Sequence, residues 1–575
     1  MSTTSNPFQF EAANNLPEDL LIDTYVEDYN FSRFILSKRN ILLVGERGSG
    51  KTMTLLYNSF RVQIAKHARE KTSHTLEMIG VYIPCNTPLT HRREYQLLDD
   101  FRAGAISEHF LVLAVLFNLA DTLLLAPDAL DDCDQAKIRE DLNYLLGIEI
   151  SESESLFDGL RNWAQREIIT TQKRINDWSS DGFYDDCLSF GSGVMPVLGC
   201  LRRIPKLKKS HFLLMIDDAH DLNQHQSRSL NSWIAFRDHA YFSFKVASAK
   251  VGQPDFITTS GAAILEGHDF TTIDMEQPLQ TSTSDFGKLA ALVIEKRLRG
   301  TGIDKTAHSF FPISPQLEAD MSRCREEVKA RIVADNPDWS HSSIEDYVYK
   351  FGRAEYFRSR SSKANRPAYS GFDTLVYLST GVVRNLLEPC YQMFDAVQSK
   401  NADEADASTS IEVIPPDDQA DILMRLSERM WSRIKDGLDR SIDGCSSKQA
   451  KQIGTLFDKL ATYFRHRLLY HQSEPQANSF SITGLTEEIA EELIPLLKIA
   501  RKAQLLYERI GPAKERGLKE KYFVPNRMLW PSIGLDLHGQ HARASLKARD
   551  LLAAANGKEI PVRAEKGEDQ MELFT

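Results

Sequence analysis

Asn40-Ile41-Leu42-Leu43-Val44-Gly45-Glu46-Arg47-Gly48-Ser49-Gly50-Lys51-Thr52 is the stretch that decides the fold. Its first half is an apolar run of the kind that makes a buried strand, and residues 53–64 continue with helical pattern. Between them stands G-x-x-x-x-G-K-[ST] in the strand–loop–helix setting that this motif needs. Glycines let consecutive backbone N–H groups turn inward around a phosphate, and the following helix adds the partial positive charge of its N-terminus. Lys51 is placed to reach the β- and γ-phosphates, and Thr52 to set its hydroxyl on Mg²⁺. Gly45, Gly48, Ser49, Gly50, Lys51 and Thr52 are therefore the expected phosphate-binding set, with ATP and Mg²⁺ as the expected ligands.

A second apolar strand, Phe212-Leu213-Leu214-Met215-Ile216, ends in Asp217-Asp218. A carboxylate at a strand tip beside a phosphate loop suits a hydrated Mg²⁺, so Asp217 is the expected metal-side residue. Asp218 then reads either as the base that polarises the attacking water or as the cap of a helix starting near Ala219. The strand 242–247 leads to Ser248, whose hydroxyl is placed to hold that water. Far downstream, Gly381-Val382-Val383-Arg384 sets Arg384 near a helix start.

Short apolar segments at 41–44, 78–83, 212–216, 242–247 and 271–275 alternate with helical pattern, the sequence form of a parallel sheet with crossover helices. The expected fold class is α/β: a phosphate-loop parallel sheet with a helical insertion, then a helical lid and a C-terminal winged-helix-like domain. The expected division is a lead-in at 1–40, an α/β core at 41–280 with the insertion at about 93–209, and a lid at 281–398. A linker at 399–418 follows, then a helical and winged-helix-like region at 419–550 and a flexible tail at 551–575. Residues 485–503 read as helix, 505–510 and 522–524 as the strands of a hairpin.

The chain has 575 residues, 42% of them hydrophobic and 26% charged, and a formal charge of −11. That composition is ordinary for a globular protein and excludes a polycation. The seven cysteines are scattered without C-x2-C spacing, which argues against a zinc site. Residues 1–11 lack the pattern of a signal peptide, and no stretch is expected to reach the roughly 20 apolar residues of a membrane span. The chain is thus expected to be cytoplasmic, with no membrane partner. Between Lys498 and Arg549 stand twelve Lys or Arg against four Asp or Glu, a local basic excess suited to DNA phosphates or to a protein-binding face.

The combination resembles AAA+ ATPases, in particular the prokaryotic members of the origin-recognition-complex-like clade and the related signal-transduction ATPases. In those families a Gly-x-x-Arg at a lid helix supplies the sensor-2 arginine, which matches Gly381 and Arg384. Ser248 matches sensor 1, Asp217 and Asp218 match the Walker B pair, and Arg237 lies near where an arginine finger acts on a neighbour's nucleotide. A solvated helix-end arginine is the other reading of Arg237. The chain departs from the family in the short Asp218, where glutamate is usual, and in its long insertion. Helix followed by hairpin is similar to the winged helix that follows the lid in origin-recognition ATPases. The tail Gln570-Met571-Glu572-Leu573-Phe574 resembles a sliding-clamp-binding peptide, carried by Gln570, Leu573 and Phe574.

The resemblance implies an ATPase that is a homo-oligomer and an ATP-dependent switch on DNA or on partner proteins, with the two departures pointing to slow hydrolysis. Anti-phage defence ranks before a mobile-element or replication-linked role. A signalling scaffold that binds ATP, hydrolyses it poorly and ignores DNA is the competing expectation. A metabolic kinase is disfavoured by the length, the lid arginine and the basic C-terminal region.

Overall fold

The structure, a computed structural model, describes residues 6–9, 13–27, 31–85, 98–176, 186–236, 240–251, 255–276, 285–361, 369–403, 411–470, 476–512, 519–537 and 542–562. The chain forms two compact units, one of residues 11–276 and one of residues 1–10 with 277–575.

The first unit is built on five parallel strands: β1 (Ile41–Gly45), β2 (Met78–Pro84), β3 (His211–Asp217), β4 (Phe242–Ala249) and β5 (Thr271–Asp274), in the order β2-β3-β4-β1-β5. Every residue of β1, β3 and β4 is buried, as expected of central parallel strands covered on both faces. Alternate side chains serve the two faces. Leu42, Val44, Leu214, Ile216, Phe244 and Val246 join the core under the insertion. Leu43, Leu213, Met215 and Ala247 pack with Ile35 and Leu55 on the other side. The strands therefore lie where the apolar segments of the sequence put them.

The insertion is helical, with Asp100–Leu123, Gln135–Leu146 and Leu156–Asn176 as its longer elements. Asp99 caps the first of these by accepting from the Arg102 N–H at 3.0 Å. This 24-residue helix is long and apolar enough to cross a membrane by length and composition, although it holds no unbroken apolar run of about 20 residues. Scattered Arg102, Glu108, His109 and Asp121 hide that apolarity from a reading based on unbroken runs. Its Leu111, Val112, Val115, Leu116 and Leu119 are buried in the core against the sheet, so the apolar surface already has a protein partner.

The second unit begins with helices Asp285–Gly300, Pro315–Asp335, His341–Ser361, Phe372–Leu378 and Val383–Asp403. Residues 6–9 belong to this unit: Phe8 is buried among the rings of Phe310, Phe311 and Phe394. The Arg297 guanidinium donates to the Gln9 carbonyl at 2.9 Å. The stretch expected as a linker is helical up to Asp403, and Ile411 and Ile414 beyond it are buried, with the Ile414 N–H bonded to the Phe310 carbonyl. Apolar residues separated by acidic ones explain why it reads as a linker and still packs.

Helices Pro416–Asp436 and Ser447–Tyr470 lead to a four-stranded sheet of β6 (Ala477–Thr483), β7 (Leu506–Pro512), β8 (Lys519–Pro525) and β9 (Ala542–Lys547), in the order β7-β8-β6-β9. Helix Glu487–Lys502 precedes the antiparallel hairpin β7–β8, which runs in register from Leu506↔Pro525 to Pro512↔Lys519. Helix followed by winged hairpin is the expected C-terminal architecture. Strands β6 and β9 extend it.

Truncating Leu116 to Ala removes a fully buried side chain from the insertion helix. Urea unfolding is expected to show a loss of about 2–5 kcal/mol. A change below about 0.5 kcal/mol, the range of surface substitutions, would contradict the helix's place in the core.

Candidate nucleotide site

β1 delivers the phosphate loop to the C-terminal edge of the sheet. Gly48 and Gly50 take φ values of 90° and 97°, left-handed backbone that an L side chain rarely adopts, which is why both positions are glycine. The packing at the loop's start is close: a Cβ on Gly45 would meet the Ser49 Oγ at 2.5 Å. Helix Lys51–Tyr57 follows directly.

Parallel register sets the partners. Val44 stands beside Ser248 and Gly45 beside Ala249 on β4, Val44 beside Asp274 on β5, and Ile216 beside Val246. Asp217 ends β3 one residue later, so the loop, the carboxylates and Ser248 gather on one edge.

Lys51 is buried, and its Nζ donates to the carbonyls of Gly45 at 2.9 Å and Glu46 at 3.0 Å. Burial lowers its pKa, opposed by the charges of Asp217, Asp218, Glu276 and Glu46. Asp217 is only 1% exposed. Its carboxylate accepts from the Tyr82 hydroxyl at 2.9 Å, from the Asp218 N–H at 3.0 Å and from Thr52. Burial first, and then the Asp218 charge, push its pKa up to about 6, with these hydrogen bonds pulling the other way. Asp218 is half-buried and holds φ at 53°, left-handed backbone that is uncommon outside glycine.

These residues fit a metal-bound triphosphate. Thr52 and Asp217 are already in hydrogen-bond contact, and two hard oxygen donors side by side suit Mg²⁺. The Ser49 hydroxyl is buried without a hydrogen-bond partner, a polar atom that a phosphate oxygen would satisfy. Lys51 rests on backbone carbonyls that a phosphate would replace.

The match to a family model supplies the assignment: ORC-CDC6-like matches residues 6–546. The chain belongs to the ORC-CDC6-like family of AAA+ ATPases. Family membership carries nucleotide binding with it, and the parallel sheet, lid helices and winged hairpin are the architecture expected of the clade. Among solved structures, the chain is similar to Cdc6p from Pyrobaculum aerophilum, at 12% identity and a TM-score of 0.29, with 96% of each chain covered. It is also similar to the Aeropyrum pernix Orc1 protein in complex with DNA, at 9% identity and a TM-score of 0.27, covering 92% of this chain and 95% of that one. No curated protein matches the chain.

Other members of the expected set are less simply placed. The Ser248 side chain is wholly buried, and its Oγ lies 3.4 Å from the Ala249 carbonyl. Arg384 is half-buried in the first turn of helix Val383–Asp403, in the second unit. Arg237 and the tail residues Gln570, Leu573 and Phe574 lie outside the described residues. Sequence reasoning missed Tyr82, His220, Lys250 and Glu276, each brought in by the tertiary fold. The His220 Nδ1 accepts from the Ala249 N–H at 3.4 Å. Burial depresses the His220 pKa, opposed by the charges of Asp221 and Asp218 and aided by those of Lys51 and Arg47.

The basic excess at 498–549 is smaller on the surface than in composition. Arg527 is buried and donates to the Tyr377 carbonyl, Arg501 pairs with Glu508 at 2.8 Å, and Arg543 pairs with Glu520 at 3.3 Å. Lys498, Lys502, Lys519, Lys521, Lys547 and Arg549 are exposed.

Asp217 gives a pH signature in protein freed of nucleotide and metal. Its folded pKa of about 6 lies above the ordinary carboxylate value of about 3.9, so the fold favours the protonated form. That contribution is complete below about pH 4 and is lost as pH rises through 6. Asp217→Asn is expected to be more stable than wild type at pH 7, by about 1–3 kcal/mol in urea unfolding with EDTA, with a flatter profile between pH 4 and 7. Parallel profiles would contradict the assignment.

Proposed function

We propose that the chain is a slow ATPase that works as an ATP-dependent switch on DNA or on a partner complex, in anti-phage defence or a mobile-element or replication-linked process. The observation that carries the ATPase reading is the buried Lys51 beside Thr52, Asp217 and Asp218 on one sheet edge. In this reading Lys51 leaves the Gly45 and Glu46 carbonyls for the phosphates of ATP, and the loop amides of Gly48 to Thr52 orient them. Thr52 and Asp217 hold Mg²⁺, which when bound neutralises charge developing on the phosphate oxygens. Asp218 accepts the proton of the attacking water and Ser248 holds that water. A carboxylate one methylene shorter than the family's usual glutamate, set on left-handed backbone, supports slow turnover.

The switch reading rests on the turn before Arg384. Within the second unit, Asn385 donates to the Ser379 carbonyl at 3.1 Å and to the Tyr507 hydroxyl at 2.8 Å, while Arg509 donates to the Thr380 carbonyl at 3.1 Å. Val382 packs with Tyr507 and Val524 of the winged hairpin. A lid in residues 281–398 that moved when Arg384 met a phosphate would carry the hairpin with it. Family membership and the exposed lysines of the C-terminal region support DNA as the target, and Arg237 would complete the site of a neighbouring subunit in a homo-oligomer.

Lys51→Ala is expected to abolish ATP binding and hydrolysis, and Asp218→Asn to bind ATP and lose turnover; wild-type turnover in Asp218→Asn would contradict the base assignment. Fluorescence anisotropy with duplex DNA across a salt series tests the target. The expected result is ATP-dependent binding whose logarithm falls steeply with log salt. Absence of binding at low salt would contradict DNA as the target and favour the scaffold.

A further inference from the structure

The edge that carries the phosphate loop also carries a charged pair, a buried Glu276 with a partly exposed Lys250, to which ATP hydrolysis, as proposed, gives no role. Glu276 lies two residues past the end of β5, and its side chain is fully buried. Its Oε1 accepts a hydrogen bond from the backbone N–H of Glu46, the first residue after β1. Its Oε2 accepts from the Lys250 ammonium at 2.9 Å, and Lys250 reaches Asp274 at 2.8 Å. The Glu276 N–H in turn donates to Asp274 Oδ1 at 2.9 Å.

The start of the loop is thereby held from both sides. The Glu46 N–H goes to Glu276, and the Gly45 carbonyl of the same peptide group accepts from Lys51 Nζ at 2.9 Å. Backbone pairing already joins β1 to β4 and to β5, so the ladder does not need Glu276 to tie these strands together. What the carboxylate adds is the orientation of the peptide at which the loop leaves the sheet. A charged acceptor on that N–H, itself neutralised by Lys250, makes a stronger bond than a neutral one and keeps its direction in a water-poor setting.

The geometry points to Glu276, neutralised by Lys250, as the positioning residue that fixes the phosphate loop for nucleoside di- and triphosphates. This rests on the nucleotide reading of Lys51 and its loop. Glu276 acts on the loop's first peptide and not on a γ-phosphate, so it serves ADP and ATP alike. Without it the loop spends less time in its binding conformation, and apparent affinity falls by that fraction. A purely structural carboxylate would lower the melting temperature and leave the affinity of the folded protein untouched.

The test is calorimetric titration of the full chain with Mg²⁺–ADP and Mg²⁺–ATP, for wild type, Lys51→Ala, Glu276→Ala and Glu276→Gln, with melting curves taken without nucleotide. Glutamine keeps an oxygen for the Glu46 N–H and serves as the rescue. The expected result is that Glu276→Ala weakens both nucleotides about tenfold, a loss in the range of a charged hydrogen bond. Glu276→Gln should weaken them no more than about threefold. An alanine variant within about twofold of wild type, a glutamine variant as weak as the alanine, or an alanine variant unfolded without nucleotide each overturns the proposal. Wild type binding nucleotide while Lys51→Ala does not keeps the loop reading, so that the Glu276 variants then report on Glu276 alone. Wild type binding neither nucleotide overturns the loop reading and the proposal together.

Discussion

Burying a lysine ammonium is costly unless charge and hydrogen bonds surround it. Lys51 offsets part of that cost with two backbone carbonyls at 2.9 and 3.0 Å and with the field of Asp217, Asp218, Glu276 and Glu46, and burial still lowers its pKa. Everything else at the site follows from supplying those partners. β1 and the residue after it bring the carbonyls, the end of β3 brings Asp217 and, one residue on, Asp218, and the segment after β5 brings Glu276. A sheet in which β1 lies between β4 and β5, with β3 next along, gathers all of them on one edge.

The same arrangement makes the site unfavourable until a ligand arrives. Asp217 is buried beside a second carboxylate and its ionised form is disfavoured, while Ser49 holds a buried hydroxyl with no acceptor or donor. A divalent cation and a polyphosphate would relieve both at once, through charge on the carboxylates and oxygen on the hydroxyl. The left-handed backbone of Asp218 and the unsatisfied hydroxyl of Ser49 stand at the same edge of the sheet, as a ligand site there would require.

The core of this site was legible because its signal is local. The phosphate loop, its strand and its helix lie within one continuous stretch, and β3 announces itself by an apolar run closed by Asp217-Asp218. Glu276 and Lys250 were not legible, since each meets the loop only through the fold, and a Met-Glu-Gln or Ala-Lys-Val stretch carries no spacing signal. Strands β6 and β9 escaped because Ala477-Asn478-Ser479 and Ala542-Arg543-Ala544-Ser545 hold small or polar residues where a strand signal needs β-branched or aromatic ones. The insertion helix concealed its apolarity behind five ionisable groups. Composition alone also overstated the basic surface of the C-terminal region, because Arg501, Arg527 and Arg543 are spent on internal partners.

At the centre of the proposed function stands a nucleotide pocket in which loop amides and Lys51 would act together with a metal held by Thr52 and Asp217. Calorimetric titration of the purified full chain with ATP, once with Mg²⁺ and once with EDTA, tests it most directly. Saturable one-site binding with Mg²⁺ and markedly weaker binding without it are the expected results. Absence of binding in both titrations, or equal affinity in the two, would contradict the pocket as described.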